Sequence, residues 1–192
     1  VGDLAQCDVG FLRKKLNKHG QTIWQFANGY ATDLVLSRPA ENKGYGNSIT
    51  LPQNIVTEAG ARKVLLSLCE TVGMRLRRDA MKGSCVAVQY GHQLCLDYAT
   101  DITQELYQAS CLAFRQAWRG QPLRQLGVQV SRVSHEAYRQ VSLFTGQRYA
   151  KLEKMDQAVD TIRSRYGEDA ILRARFLKGE LPAMAGGLAK ER

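Results

Sequence analysis

Gln121 to Phe144, QPLRQLGVQVSRVSHEAYRQVSLF, joins a segment of period two to an isolated apolar peptide, and its reading decides the fold. Leu126, Val128 and Val130 alternate with Gln125, Gly127, Gln129 and Ser131, the pattern of a strand with one buried face. Such a strand needs a sheet to join. Beyond the polar run Ser134 to Arg139 come Gln140, Val141, Ser142, Leu143 and Phe144, followed by the turn-like Thr145-Gly146. Two large apolar residues between polar neighbours either return as an edge strand or dock on another molecule.

Working outward toward the N-terminus, the residues before this strand supply the sheet. A helix is expected to start at Asp101 or Thr103, with Tyr107, Cys111, Phe114 and Trp118 on one stripe and Gly120 as its stop. Cys85 to Tyr90 and Gln93 to Tyr98 read as two strands separated by Gly91-His92, a spacing that suits a tight hairpin. Thr57 is the expected cap of an earlier helix in which Leu65, Leu68, Cys69, Val72 and Leu76 share a face. Its last turn carries Arg75, Arg77 and Arg78, with Lys82 just beyond, cations that either complement the helix dipole or meet phosphate. Tyr45 to Leu51 is the first strand, which Pro52 is expected to end.

Strand, helix, strand, strand, helix, strand is the double split order of an α+β, ferredoxin-like βαββαβ unit: a four-stranded antiparallel sheet with two helices on one face. The other face is left open. Strand alternation places Gly46, Ser48, Thr50, Ala87, Gln89, Cys95, Asp97, Gln125, Gly127, Gln129 and Ser131 on it. These residues include no aromatic ring, so base stacking of the kind used by single-stranded RNA readers is not expected. Hydroxyls and amides suit contact with a sugar-phosphate backbone instead. Ser48, Thr50, Gln89, Gln129 and Ser131 are the candidate contacts, with Lys43 and Arg132 at strand ends as phosphate partners. A protein-interaction module that covers this face with another chain is the alternative.

Residues 1–36 read as short helices, with Asp8 as a cap, Phe11, Leu12 and Leu16 along one side, and a break at His19-Gly20. A second piece runs from Thr22 to Asn28 and stops at Gly29. Residues 37–44 carry Pro39 and Gly44 without apolar period and read as a tether. Lys151 to Tyr166 is an expected amphipathic helix, its stripe Leu152, Met155, Val159, Ile162 and Tyr166 turned inward. Asp156 and Asp160, on the opposite face, are expected to be solvated rather than to hold a metal.

The balance of 27 Lys and Arg against 18 Asp and Glu gives a net charge of +9, which favours a polyanionic partner. The five cysteines are widely spaced and read as small core residues in a reducing compartment, and no Cys or His pair has metal-ligand spacing. No nucleophile, base and metal constellation supports a stand-alone enzyme. No apolar run approaches the roughly 20 residues of a membrane span.

Taken in order, Gly2-Asp3-Leu4-Ala5, Trp24-Gln25-Phe26-Ala27-Asn28-Gly29, Gly46 to Pro52 and Leu123 to Val128 resemble the C-terminal half of bacterial Y-family translesion DNA polymerases. Leu152 to Ala174, with Asp156, Asp160, Ile162, Arg163, Gly167 and Ile171, resembles the UmuC and DinB-like branch. The resemblance implies a partial helical thumb over 1–36, a linker over 37–44, and a DNA-binding little finger over 45–133. A clamp-binding segment over 134–148, a C-terminal helix over 149–178 and a flexible tail over 179–192 complete the division. Gln140, Val141, Ser142, Leu143 and Phe144 are similar to the peptide by which such polymerases hold the bacterial sliding clamp, with Leu143 and Phe144 entering an apolar pocket. The implied partners are primer-template DNA, damaged DNA included, and the clamp. The implied setting is the cytoplasm, at the nucleoid, in the SOS response and DNA repair, with no membrane partner. Family members perform nucleotidyl transfer with palm carboxylates holding Mg2+, and those motifs are expected to lie upstream in a longer protein. This chain is therefore expected to hold no metal or other cofactor, to have no catalytic residue, and to bind and position DNA without extending a primer.

Overall fold

The computed structural model describes residues 1–30, 41–89, 92–135 and 146–177. The chain divides into two compact units, Val1–Glu41 and Asn42–Arg192.

In the first unit, α1 spans Gly2–Gln6 and α2 spans Val9–Ala27. Asp8 caps α2 as its position suggests, its carboxylate accepting from the Phe11 amide at 2.8 Å. The break falls at Asn17, with φ 53° and ψ −139°, rather than at His19-Gly20. Asparagine tolerates positive φ better than most residues. Gly20 serves the close approach instead, since a Cβ there would overlap the Leu12 carbonyl and hold the two arms of α2 apart. Phe11, Leu16 and Phe26 remain exposed on this unit.

The second unit runs β1 (Gly44–Ile55), α3 (Glu58–Arg78), β2 (Lys82–Val88), β3 (His92–Thr100), α4 (Thr103–Ala117), β4 (Leu123–Ser134) and α5 (Gly146–Tyr166), then a 3-10 turn at Ala174–Phe176. The four strands form one antiparallel sheet in the order β1-β4-β2-β3. The last strand in sequence thus lies in the interior, between β1 and β2. Pro52 does not end β1, which continues to Ile55. Edge position explains this: one side of β1 makes no ladder bonds, and the register with β4 shifts between Thr50 and Ile55. The expected hairpin turn at Gly91-His92 meets the structure only in part, since His92 opens β3 and Gly91 lies outside the described residues.

Helices α3 and α4 cover one side of the sheet. Val86, Val88, Leu126, Val128 and Val130 meet Leu65, Leu68, Val72, Leu76, Leu106 and Phe114 in a single core. Each fully buried leucine or phenylalanine contributes about 1.5–3 kcal/mol by leaving water. Thr57 caps α3 as expected, accepting from the Gly60 amide at 3.1 Å. Neither Asp101 nor Thr103 caps α4 with its own side chain. The cap comes from far along the chain: the Thr103 amide donates to the Asp156 carboxylate of α5 at 2.8 Å.

Helix α5 forms, but the expected stripe is turned inward only in part, with Leu152, Val159 and Ile162 half-buried. Asp156 and Arg163 are buried, while Met155 is 37% and Tyr166 70% exposed. Arg77 of α3 donates to Asp160 at 2.6 and 3.0 Å and to Asp156 at 3.3 Å. Arg163 donates to Glu70 at 2.5 Å, and Arg173 pairs with the same carboxylate. The expectation of a solvated aspartate face is thus overturned. In α5, unlike α3, the buried stripe is held by charge pairs, each carboxylate matched to a guanidinium from another element. Burial still pushes the Asp156 carboxyl above its ordinary range, because loss of water outweighs the neighbouring Arg77 charge.

The expectation that the five cysteines are small core residues in a reducing compartment holds for Cys69 and Cys111 as buried thiols and is corrected at one pair. Cys85 and Cys95, directly opposite one another on β2 and β3, form a disulfide. Cys69 and Cys111 are buried free thiols, and burial pushes the Cys69 thiol up to about 12. At neutral pH such a thiol is not a nucleophile.

Candidate nucleic-acid interface

The side of the sheet away from α3 and α4 is built in rows. Gly46, Gln129, Ala87 and Gln93 pair across all four strands, and Gly44, Ser131, Cys85 and Cys95 form the adjacent row. Ser48 pairs with Gly127, whose carbonyl accepts from the Gln89 amide at 3.0 Å, and Thr50 pairs with Gln125. Side chains in one row lie on one face, so the register brings the sequence candidates Ser48, Thr50, Gln89, Gln129 and Ser131 onto a common surface. All of these but Ser131, which is half-buried, are exposed. Gln93 belongs to the same surface and was missed, although its parity with Cys95 signals it, while Cys85 shares that side of the sheet but is buried.

Gly127 shapes the middle of this face. A Cβ there would lie 3.0 Å from the Ser48 Cβ and 3.1 Å from the Gln89 Oε1, so any side chain would crowd these two. Together with Gly46, Asn47, Ala87 and Gln129 they line a shallow depression of about 450 Å3. Glycines at Gly46 and Gly127 let an approaching backbone come close, and the flanking amides can both donate and accept hydrogen bonds.

Charge sits at the border. Among the rows just named no residue is charged, and on β3 Asp97 is exposed beyond them. Lys43 stands just before β1 and is exposed. Arg132 is exposed near the end of β4 with φ 52°, and there the strand's alternation breaks so that Val133 packs onto the core. The other basic cluster singled out in the sequence is committed elsewhere. Arg75 donates to the Gly46 carbonyl, Arg78 pairs with Asp79, Lys82 with Glu153, and Arg77 with the α5 aspartates. Arg75, Arg77 and Arg78 do stand in the last turn of α3, where the dipole favours cations, and these side chains also find partners within the protein.

Gln140 to Phe144 lie outside the described residues. Among the described residues no group of three or more His, Cys, Asp or Glu side chains is placed to hold a metal ion, and no metal-dependent step is assigned to them. Among the described residues no helix is long and apolar enough to cross a membrane.

The family described as impB/mucB/samB family C-terminal domain matches residues 42–143. The chain is 36% identical over 191 residues to "DNA polymerase IV" of Acetivibrio thermocellus, covering 93% of this chain and 48% of that protein. It is 32% identical over 190 residues to "DNA polymerase IV" of Clostridium acetobutylicum, covering 94% and 48%. It is also 32% identical over 190 residues to "DNA polymerase IV 2" of Bacillus subtilis, covering 92% and 46%. The chain thus spans about half the length of the curated relatives it matches. The chain belongs to the impB/mucB/samB family, in the part that corresponds to the C-terminal half of the bacterial Y-family polymerases its motifs resemble.

Proposed function

We propose that this chain is the DNA-positioning part of a translesion DNA polymerase acting in DNA repair, and that its bare sheet face lies along the sugar-phosphate backbone of primer-template DNA. The observation that carries this reading is the row structure of that face: amides, hydroxyls and glycines in register across four strands, with Lys43 and Arg132 at the border. Neutral donors and acceptors exchange hydrogen bonds with phosphate and sugar oxygens without reading bases, and the border cations add the salt-dependent part of the affinity. The "DNA polymerase IV" relatives support DNA as the partner.

In the same reading Gln140, Val141, Ser142, Leu143 and Phe144 hold the bacterial sliding clamp, with Gln140 supplying hydrogen bonds and Leu143 and Phe144 filling an apolar pocket. Nucleotidyl transfer with Mg2+ belongs to a palm domain of the parent enzyme. The protein works in the cytoplasm at the nucleoid, under the SOS response to DNA damage.

Fluorescence anisotropy of labelled primer-template duplex across a salt series tests the DNA reading. Affinity that falls linearly on a log-log plot and varies little with sequence is expected. Absence of binding at low salt, with a stable oligomer in size-exclusion chromatography, replaces it with a protein-interaction module. For the clamp, Leu143→Ala or Phe144→Ala is expected to cost about 2 kcal/mol of clamp binding each, the effect of truncating a central anchor. Unchanged affinity in both variants removes the clamp role.

A further inference from the structure

The helical side of the second unit carries a second concavity that the DNA reading leaves unused. It is a cleft of about 650 Å3 between α3, α4 and the 3-10 turn. Arg62 reaches into it from α3 and Arg175 from the turn, and both donate to one acceptor, the Tyr107 hydroxyl, at 3.4 and 3.1 Å. Among the described residues neither has a carboxylate partner. Arg115 and Arg173 also line the cleft, paired with Glu58 and Glu70.

Two guanidiniums that converge on one neutral oxygen repel each other, and an entering carboxylate relieves that repulsion while accepting charge-assisted hydrogen bonds. The walls between them are mixed, with Gln104 and Gln108 beside apolar groups. Leu66 and Leu112 line the same cleft, and Leu112 is 46% exposed. A nucleic-acid backbone offers anions but no apolar group to cover the exposed Leu112, whereas an acidic peptide bearing a large apolar side chain offers both.

We infer that this cleft is a docking site for an acidic protein segment in which an aliphatic or aromatic residue is flanked by aspartate or glutamate. The carboxylates pair with Arg62 and Arg175, and the apolar side chain packs on Leu112 above Leu66. The cleft lies on the helical side of the sheet, so the segment is held without competing for the bare face.

The 192-residue chain titrated into a fluorescein-labelled peptide of alternating aspartate and leucine or phenylalanine tests this by anisotropy. Saturable binding is expected, weakened at least tenfold by Arg62→Glu combined with Arg175→Glu. The exposed substitution Leu112→Glu gives an independent arm that does not touch the core, with a similar loss expected. A peptide with every aspartate replaced by lysine is expected not to bind. Saturating primer-template is expected to leave the peptide affinity within twofold. No saturable binding of the acidic peptide overturns the proposal, as does equal affinity in the variants. Displacement of the peptide by a short single-stranded oligonucleotide at equal charge concentration overturns it in favour of a nucleic-acid site.

Discussion

The two sides of the β1–β4 layer solve opposite problems. On the bare side, neutral amides, hydroxyls and two glycines sit in register and the cations stand at the margin. On the helical side, where α5 docks, charged groups are matched within the protein: Arg77, Arg163 and Arg173 pair with Asp156, Asp160 and Glu70. A net charge of +9 correctly suggests a polyanionic partner, yet several of the arginines that produce it serve to dock α5. Global charge is therefore a statement about the partner and a poor guide to where the partner sits.

The contrast is most directly broken on the helical side. Arg163→Ala leaves Glu70 buried with one of its two partners gone, and a loss of about 3–5 kcal/mol of stability is expected, read by urea denaturation. A change below about 0.5 kcal/mol, the size of an ordinary surface substitution, would mean that the pair is not sealed from water. DNA affinity at constant salt is expected to be unchanged in whatever fraction remains folded.

The reverse outcome is expected on the bare side. Ser48→Glu with Gln129→Glu places two anions in the middle rows, where like charges oppose phosphate, and duplex affinity is expected to fall by about tenfold or more. Stability is expected to stay within about 0.5 kcal/mol, since both positions are exposed. Equal affinity would move the DNA contact elsewhere.

At the margin the effect is smaller and shows in the salt dependence. Lys43→Ala and Arg132→Ala are each expected to lower the slope of log affinity against log salt by about 1, as loss of one phosphate contact does.

The smallest effect sharpens the boundary between the two sides. The Tyr45 hydroxyl donates to Asp79 at 2.8 Å, and the Asp79 carboxyl is held below its ordinary range by Arg78 and then by Tyr45. A carboxyl lowered on folding adds stability above its unfolded value, and that stability is lost as pH falls through the folded value. Tyr45→Phe is expected to cost about 1 kcal/mol at neutral pH. The difference from the parent is expected to shrink as pH falls through the lowered Asp79 value, measured by urea midpoints at a series of pH values.

Much of the bare face was legible because strand alternation is local. Leu126, Val128 and Val130 announce their buried side whatever strand lies beside them, and Ser48, Gln89 and Gln129 follow by parity. Thr57 and Asp8 were legible as caps because the amide each accepts from lies three residues on. Pro52 misled because whether a proline ends a strand depends on whether its strand is at an edge. Helix α5 misled for a related reason. Its apolar stripe suggested an inward face, but Leu152, Val159 and Ile162 are only half-buried and the most buried positions belong to Asp156 and Arg163, whose partners lie far along the chain.

By itself the sequence determined the succession of strands and helices, the alternation that separates a core side from a bare side, and the family motifs. Those properties are carried by residues a few positions apart, so no distant partner is needed to express them. Only the tertiary structure decided that β4 enters the interior of the sheet, that Cys85 meets Cys95, and that Arg77 and Glu70 of α3 reach residues of α5 and beyond. Those pairings join groups 79 to 93 residues apart in the case of the α5 contacts, and 103 apart for Arg173 and Glu70. A buried charge accepts whichever partner the completed fold places beside it, and no local pattern names that partner in advance.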